Sequence, residues 1–211
     1  MAALTRTSKA HLTAQRVSRD LEEAIANYEL FSPSGTNRDI INRVNARKIN
    51  GGFNVISASL HHIVVVTLCR IWDKRRDVAS LYTIETLLTK SEYQNERATI
   101  VKHLGHEARF SFDKRRFADW VKKIDIASRD ESLAAIKATR DNWLAHSASP
   151  DREYRGTARA EVYGDERKVI EMTIPFVKEI NSIIGYEFLD FASLRNKWAD
   201  EAVVFWYAVA S

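Results

Sequence analysis

Cysteine is nearly absent from this chain, which has one such residue among 211. That residue, Cys69, lies in the apolar run IVVVTLC and has no second cysteine with which to form a disulfide bond in the chain. No spacing of cysteine and histidine resembles a zinc site. We therefore expect a protein of a reducing compartment, with neither a bound metal ion nor another cofactor.

Proline and glycine are also scarce, with three and seven residues respectively. Because these residues mark most turns, their scarcity favours long helices over many short strands. The chain lacks a glycine-rich phosphate loop and a nucleophile elbow, which argues against nucleotide hydrolysis and against a Ser–His–Asp hydrolase. A composition of 45% hydrophobic and 28% charged residues is typical of a globular domain.

Long hydrophobic runs are missing as well. The longest, residues 63–69 and 202–210, fall far short of the roughly 20 residues that cross a bilayer. The N-terminal segment MAALTRTSKAHLTAQR has no continuous apolar core of the signal-peptide kind. We expect a soluble, cytoplasmic protein that makes no membrane contact. The net charge of +4 is compatible with an anionic partner but does not identify one.

Helical spacing of apolar residues recurs along most of the chain. Ser80, Ser91 and Asp130 are expected to cap the helices that follow them. Pro33 and Gly35, within FSPSGTN, predict a loop after the first helix. The predicted helices cover residues 9–30, 37–49, 53–73, 80–90, 91–104, 112–127, 130–146 and 188–209.

The pattern changes after residue 146. Residues 147–157 have the composition of an exposed loop, and weak alternation around the turn signal GDER allows a short β-hairpin near 157–173. Pro175 then fits the first turn of a helix that runs to about Ile184. The fold class is therefore all-α, an up-and-down helical bundle with this hairpin as its one β element.

The stretch RDNWLAH, residues 140–146, places polar groups in the last turns of an otherwise apolar helix. On a straight α-helix, Arg140 and His146 point roughly 120° apart and lie about 9 Å apart along the axis. One such helix does not aim both side chains at one point. Either the arginine reaches around the helix, or the helix is distorted, or a second copy related by two-fold symmetry completes a site.

Arg140, the Asp141 that follows it and His146 after five intervening residues resemble the motif of the HEPN superfamily. The wider sequence resembles the AbiU-like abortive-infection group of that superfamily. The segments that carry this likeness are LCRIWDKRRDVASLYTIETLL at 68–88 and RDNWLAHS at 140–147.

The resemblance covers about residues 14–149 and implies a HEPN-like bundle. We accordingly expect a single domain over 1–211. Residues 1–36 would form an N-terminal helical arm, and 151–211 an extension that completes the bundle.

The resemblance also implies an activity, which is metal-independent endoribonuclease action by a homodimer that serves as a toxin or phage-defence effector. RNA supplies its own nucleophile, the 2′-hydroxyl. In this role His146 is the general acid and base, Arg140 stabilises charge on the phosphate, and Asp141 or Asn142 orients them. The expected products are a 2′,3′-cyclic phosphate and a 5′-hydroxyl. An antitoxin or a regulatory protein is the expected further partner.

Basic residues elsewhere are candidates for contact with the RNA backbone. The alternative for each is an ordinary solvated helix end or face. Adjacent His61 and His62 point about 100° apart on a helix and have no carboxylates at ligand spacing, which argues against a metal site. The RNA-contact candidates are Arg70, Lys74, Arg75, Arg76, Lys114, Arg115 and Arg116.

Two other functions are compatible with the sequence. The first is a non-catalytic HEPN module that binds RNA, a nucleotide or a protein partner through the same cleft. The second is a helical scaffold in which RDNWLAH only closes a helix end, where each cation interacts with the helix dipole by roughly 0.3–1 kcal/mol.

Overall fold

The computed structural model describes residues 6–90, 114–148, 159–184 and 190–211. Every regular element in these ranges is an α-helix, so the all-α prediction is confirmed. The predicted helix over 91–104, with Ser91 as its cap, lies outside the described residues. The helices are α1 (Arg6–Thr36), α2 (Arg38–Arg47), α3 (Asn50–Ile71), α4 (Leu81–Thr89), α5 (Lys114–Ala127), α6 (Glu131–Ala148), α7 (Asp165–Ile184) and α8 (Phe191–Val209).

Helix α1 runs through the centre of the bundle and packs against α3, α4, α7 and α8. Its buried residues recur every three or four positions, which produces one continuous apolar face. Burial of each large side chain on this face contributes about 1.5–3 kcal/mol to folding. The main core also takes side chains from α3 to α8. The α1 face consists of Ala10, Ala14, Val17, Leu21, Ala24, Ile25 and Tyr28.

The loop predicted at Pro33 and Gly35 is wrong, because α1 continues to Thr36. Tertiary contacts hold this last stretch: the buried Ser34 hydroxyl lies 2.7 Å from that of Ser57 on α3. Gly35 fits closely against the ring of Tyr163, since a Cβ there would lie 3.3 Å from a ring carbon. Packing therefore overrides the local preference of proline and glycine for a loop.

Several predicted helix starts are confirmed at the level of individual hydrogen bonds. The Ser80 hydroxyl accepts the amide N–H of Thr83, and Asn37 caps α2 in the same way. The Asp130 carboxylate accepts the N–H groups of Ser132 and Leu133 at the start of α6. Such side-chain caps are local, which is why the sequence alone identifies them.

The β-hairpin predicted near 157–173 is wrong over the described part of that range, because α7 begins at Asp165. The segment KVIEMTI has an alternating pattern, but Val169, Ile170 and Thr173 are buried at helical spacing, which continues through Val177. Two carboxylates stabilise the start of α7. Asp165 accepts the N–H of Val162, and Glu166 accepts the N–H of Gly164.

Pro175 also lies elsewhere than predicted, in the interior of α7 rather than in its first turn. A proline there leaves the carbonyl four residues earlier without its usual helical donor and normally costs stability. The apolar face on both sides of Pro175 is buried in the core, and we attribute the continuity of α7 to that burial.

Helix α3 is the one helix among the described residues that is long and apolar enough, by length and composition, to cross a membrane. Its most apolar window is 33% buried, and a single helix of this kind is weak evidence of a span, because core helices pass the same test. In the fold α3 packs against α1, α6 and α7. His61 and Arg70 of α3 form ion pairs with carboxylates of other elements.

Candidate functional site: two cavities that share Trp143

Helix α6 carries the RDNWLAH motif, and its N-terminal half is packed into the core. Leu133, Ala135 and Ile136 are fully buried, and α6 packs against α3 and α7. The backbone is regular α-helix through Ala148, so Arg140 and His146 retain their separation of roughly 120° around the axis. The alternative of a distorted helix therefore has no support. The side chain of His146 lies outside the described residues.

Arg140 lies in the wall of an open cavity of about 610 Å³ and is about one-quarter exposed. Its Nε and Nη2 atoms both donate to Oδ1 of Asp141, at 2.9 and 2.7 Å. Burial lowers the pKa of Arg140, but Cys69, Asp141 and Asp73 raise it more, so the net pKa lies above its usual value. The guanidinium is thus a permanent charge whose orientation Asp141 controls.

Two of the predicted RNA-contact residues join Arg140 in this cavity. Arg75 is largely exposed and forms an ion pair with Asp73 at 2.9 Å. Arg70 also lines the cavity, but its guanidinium donates to both oxygens of Asp20 at 2.7 and 2.6 Å. Asp20 is buried, so much of the charge on Arg70 serves this internal pair. The cavity lining consists of His62, Val66, Arg70, Asp73, Arg75, Val78, Arg140 and Trp143.

The other RNA-contact candidates do not line this cavity. Lys74 lies 5.1 Å from the centre of the Tyr82 ring, and Arg76 is exposed. Lys114, Arg115 and Arg116 are exposed in the first turn of α5. Arg116 contacts Glu179 and Ser182 of α7. A role for these five residues in RNA contact stays a prediction.

A second cavity, of about 680 Å³, lies beside the first, and the side chain of Trp143 lines both. The Trp143 ring lies 5.5 Å from His61 on one side and 4.5 Å from His62 on the other. His61 lines the second cavity and His62 the first, as the rotation of about 100° between helix neighbours requires. Asn142 lines the second cavity, so Arg140 and Asn142 face different cavities.

His61 forms ion pairs with two glutamates at the second cavity. Its Nε2 lies 2.9 Å from Oε1 of Glu166 and 3.3 Å from Oε1 of Glu161. Burial of the ring lowers its pKa, but hydrogen bonds and charge from the two glutamates raise it further, to about 9. The imidazole is therefore protonated at neutral pH when it binds nothing else.

Sequence reasoning missed this group because its members are far apart in the chain. Glu161 and His61 are separated by 100 residues, so spacing along the chain gives no sign of their contact. Both glutamates also lie within the segment 157–173 that was predicted as a hairpin. The available signal was the pair Asp165 and Glu166, because acidic residues favour the first turn of a helix. A helix start at Asp165 would have placed Glu166 in the first turn of α7.

The buried thiol of Cys69 shows no sign of a catalytic role. Burial raises its pKa to about 12, and the sulfur lies 3.8 Å from the carbonyl oxygen of Ile136. A nucleophilic cysteine needs a depressed pKa and access to substrate. Cys69 has neither property.

Comparison with known protein families identifies the family of this chain. The model of the AbiU2 family of HEPN domains matches residues 10–205, which is nearly the whole chain. No curated protein and no solved structure matches significantly. The match covers the Arg140 cavity, the second cavity and all eight described helices at least in part. The chain therefore belongs to the AbiU2 family of HEPN domains.

Proposed function

We propose that this protein is a metal-independent endoribonuclease that cleaves RNA at a site containing Arg140 and His146. The observation that carries the proposal is the position of Arg140, whose oriented and charged guanidinium lines an open cavity six residues before His146 on the same helix. Arg75 lines the same cavity and, although it pairs with Asp73, leaves a largely exposed guanidinium that a phosphate can contact. A phosphodiester is the kind of ligand that such a cavity attracts.

The chemistry requires few protein groups because RNA supplies the nucleophile. The 2′-hydroxyl attacks the adjacent phosphorus, and the bond from phosphorus to the 5′-oxygen of the next nucleotide breaks. His146 removes the proton from the 2′-hydroxyl or donates one to the leaving oxygen, and Arg140 stabilises the additional negative charge. Asp141 orients Arg140. We assign this task to Asp141 rather than Asn142, because Asn142 lines the other cavity.

A second copy of the chain would complete the site. The regular geometry of α6 keeps Arg140 and His146 of one chain from pointing in one direction. An apolar strip of α3 beside the cavity supports self-association: Val55, Ile63 and Val66 are exposed and lie within about 80° of one another around the helix. Exposed apolar strips next to functional clefts are typical of interaction surfaces.

The biological role that fits this activity is that of a toxin or abortive-infection effector in defence against phage. Such a nuclease acts in the cytoplasm and must be inhibited in a healthy cell. An antitoxin or a regulatory protein is the expected means of inhibition. Family membership supports this role.

The test is cleavage of end-labelled RNA by the purified protein in EDTA. Wild type should produce a 2′,3′-cyclic phosphate and a 5′-hydroxyl, and Arg140→Ala and His146→Ala should each lose at least about 100-fold in rate. Arg129→Ala is the matched control, because Arg129 is exposed, pairs with Asp125 and lines neither cavity. Cleavage that survives both substitutions would refute the assignment, whereas binding without cleavage would favour the non-catalytic module.

The dimer is tested separately by light scattering during size-exclusion chromatography. Ile63→Asp should convert a dimer into a monomer and abolish cleavage while the helical signal in circular dichroism is unchanged. Ile126→Asp is the matched control, since Ile126 is even more exposed and lies at the end of α5. A wild-type monomer that cleaves RNA would exclude the two-copy site.

A further inference from the structure

The second cavity contains two carboxylates that have little access to water. The side chains of Glu161 and Glu166 are 9% and 2% exposed, and their nearest oxygen atoms both approach Nε2 of His61. The three candidate ligand atoms lie within 4.8 Å of one another. Two buried carboxylates this close repel each other, and a single ring nitrogen offers one proton to both.

The other positive charge that lines this cavity, that of Arg159, is already paired with a carboxylate. Arg159 lines the same cavity, but its guanidinium donates to both oxygens of Asp165 at 2.7 Å each. The cluster of one imidazole and two carboxylates therefore carries an excess of negative charge. A divalent ion bound by a neutral imidazole and two carboxylates would make the total charge zero.

The ligand distances fit a transition metal. A zinc ion with bonds of about 2.0–2.2 Å places its ligand atoms about 3.3 Å apart in a tetrahedral site. The observed separations of 2.9 and 3.3 Å from Nε2 to the two carboxylate oxygens are close to that spacing. The combination of one nitrogen and two carboxylate oxygens suits Zn²⁺ better than Mg²⁺, which prefers oxygen ligands alone.

The surroundings hold the three ligands in place. The His61 ring stacks on Phe31 at 5.1 Å and meets the edge of Trp143 at 5.5 Å. The second oxygen of Glu166 accepts the N–H of Gly164 at 3.1 Å. Outer contacts of this kind orient metal ligands.

One residue that lines the same cavity, Asn142, has an unsatisfied polar atom. The side-chain oxygen of Asn142 is buried and has no hydrogen-bond partner among the residues that the structure describes. Three protein ligands leave a fourth position on zinc for a water molecule.

We infer that His61, Glu161 and Glu166 form a binding site for one zinc ion, which joins α3 to the start of α7. This site is separate from the proposed RNA site, and it does not depend on the nuclease proposal, because cleavage is expected to continue in EDTA. The sequence predicted no metal site here because no carboxylate lies close to His61 in the chain.

The experiment is titration of EDTA-stripped, dialysed full-length protein with ZnCl₂ by isothermal calorimetry, with MgCl₂ in parallel. Wild type should bind about one Zn²⁺ per chain and no measurable Mg²⁺. Glu161→Gln and His61→Gln should each weaken the zinc affinity by at least about tenfold. His62→Gln is the matched control, because this adjacent histidine lines the other cavity, and it should bind zinc as wild type does.

A second measurement separates a metal site from a simple ion pair. Added Zn²⁺ should raise the melting temperature of wild type and of His62→Gln in a concentration-dependent manner, but not that of Glu161→Gln. Circular dichroism in EDTA verifies that each variant is folded. Absence of zinc binding by wild type, or binding that Glu161→Gln and His61→Gln leave unchanged, would overturn the inference and leave an ion pair that only fixes α7.

Discussion

Arg70 and Arg75 line the same cavity but should behave in opposite ways when each is replaced by alanine. The Asp20 carboxylate is 1% exposed and accepts two hydrogen bonds from Arg70. It also forms an ion pair with Arg16 at 2.9 Å. Arg70→Ala leaves this buried carboxylate with Arg16 alone, and Arg16 is half exposed. Arg75 instead is 70% exposed and pairs with Asp73, two residues earlier, whose side chain is 11% exposed.

The expected magnitudes follow from this difference. Removal of one partner of a buried ion pair costs about 3–5 kcal/mol, and the remaining Arg16 should reduce the cost here to about 2–3 kcal/mol. For a chain of 211 residues, this loss lowers the melting temperature by roughly 4–12 °C. Arg75→Ala should change the free energy of unfolding by less than about 1 kcal/mol, because Arg75 itself is 70% exposed and Asp73 keeps its hydrogen bond from the backbone N–H of residue 75.

Urea denaturation followed by circular dichroism measures the stability of both variants. RNA affinity is measured by fluorescence anisotropy with a labelled single strand at several salt concentrations. Arg75→Ala should weaken RNA binding and reduce the salt dependence by about one phosphate contact. The double variant Asp20→Asn/Arg70→Ala should be more stable than Arg70→Ala, because it removes a buried charge that Arg16 alone does not fully compensate.

Equal stability of Arg70→Ala and wild type would refute the reasoning, since it would mean that Asp20 does not depend on Arg70. Equal destabilisation by Arg70→Ala and Arg75→Ala would refute it as well.

Three other predictions concern stability. The pKa of His61 is raised from 6.5 to about 9 in the folded protein, which corresponds to about 3 kcal/mol. In EDTA this contribution is complete below about pH 6.5 and is lost as the pH rises through 9. Urea denaturation should therefore show that the free energy of unfolding of wild type falls over this range, whereas that of His61→Gln does not. A parallel fall in both proteins would contradict the raised pKa of His61. Trp72→Phe removes the indole N–H that donates to Thr173 at 2.8 Å inside the core. The free energy of unfolding, measured by urea denaturation, should fall by about 2 kcal/mol. An unchanged value would mean that this hydrogen bond contributes nothing. Gly164→Ala should lower the stability measured in melting experiments by about 1 kcal/mol, because φ is +98° at this position. The cost comes from the backbone alone, since an added Cβ meets no atom within 4 Å. A stabilised variant would show that the turn adopts another conformation.

The sequence by itself determined the helical architecture and the candidate motif. Apolar residues at helical spacing identified α1, α3 and α5, and the caps at Ser80 and Asp130 fixed two helix starts. These features depend on interactions between residues within about four positions of each other, so a single sequence contains all the information.

Tertiary structure alone decided the features that depend on distant partners. Pro33 stays in a helix because Ser34 contacts Ser57 of α3. Arg70 acts as an internal ion pair because α1 places Asp20 beside it, 50 residues away in the chain. The folding of the chain likewise brings His61 beside Glu161, which is 100 residues away in the sequence. Local spacing cannot predict such pairs, because the packing of helices selects which charges are buried together.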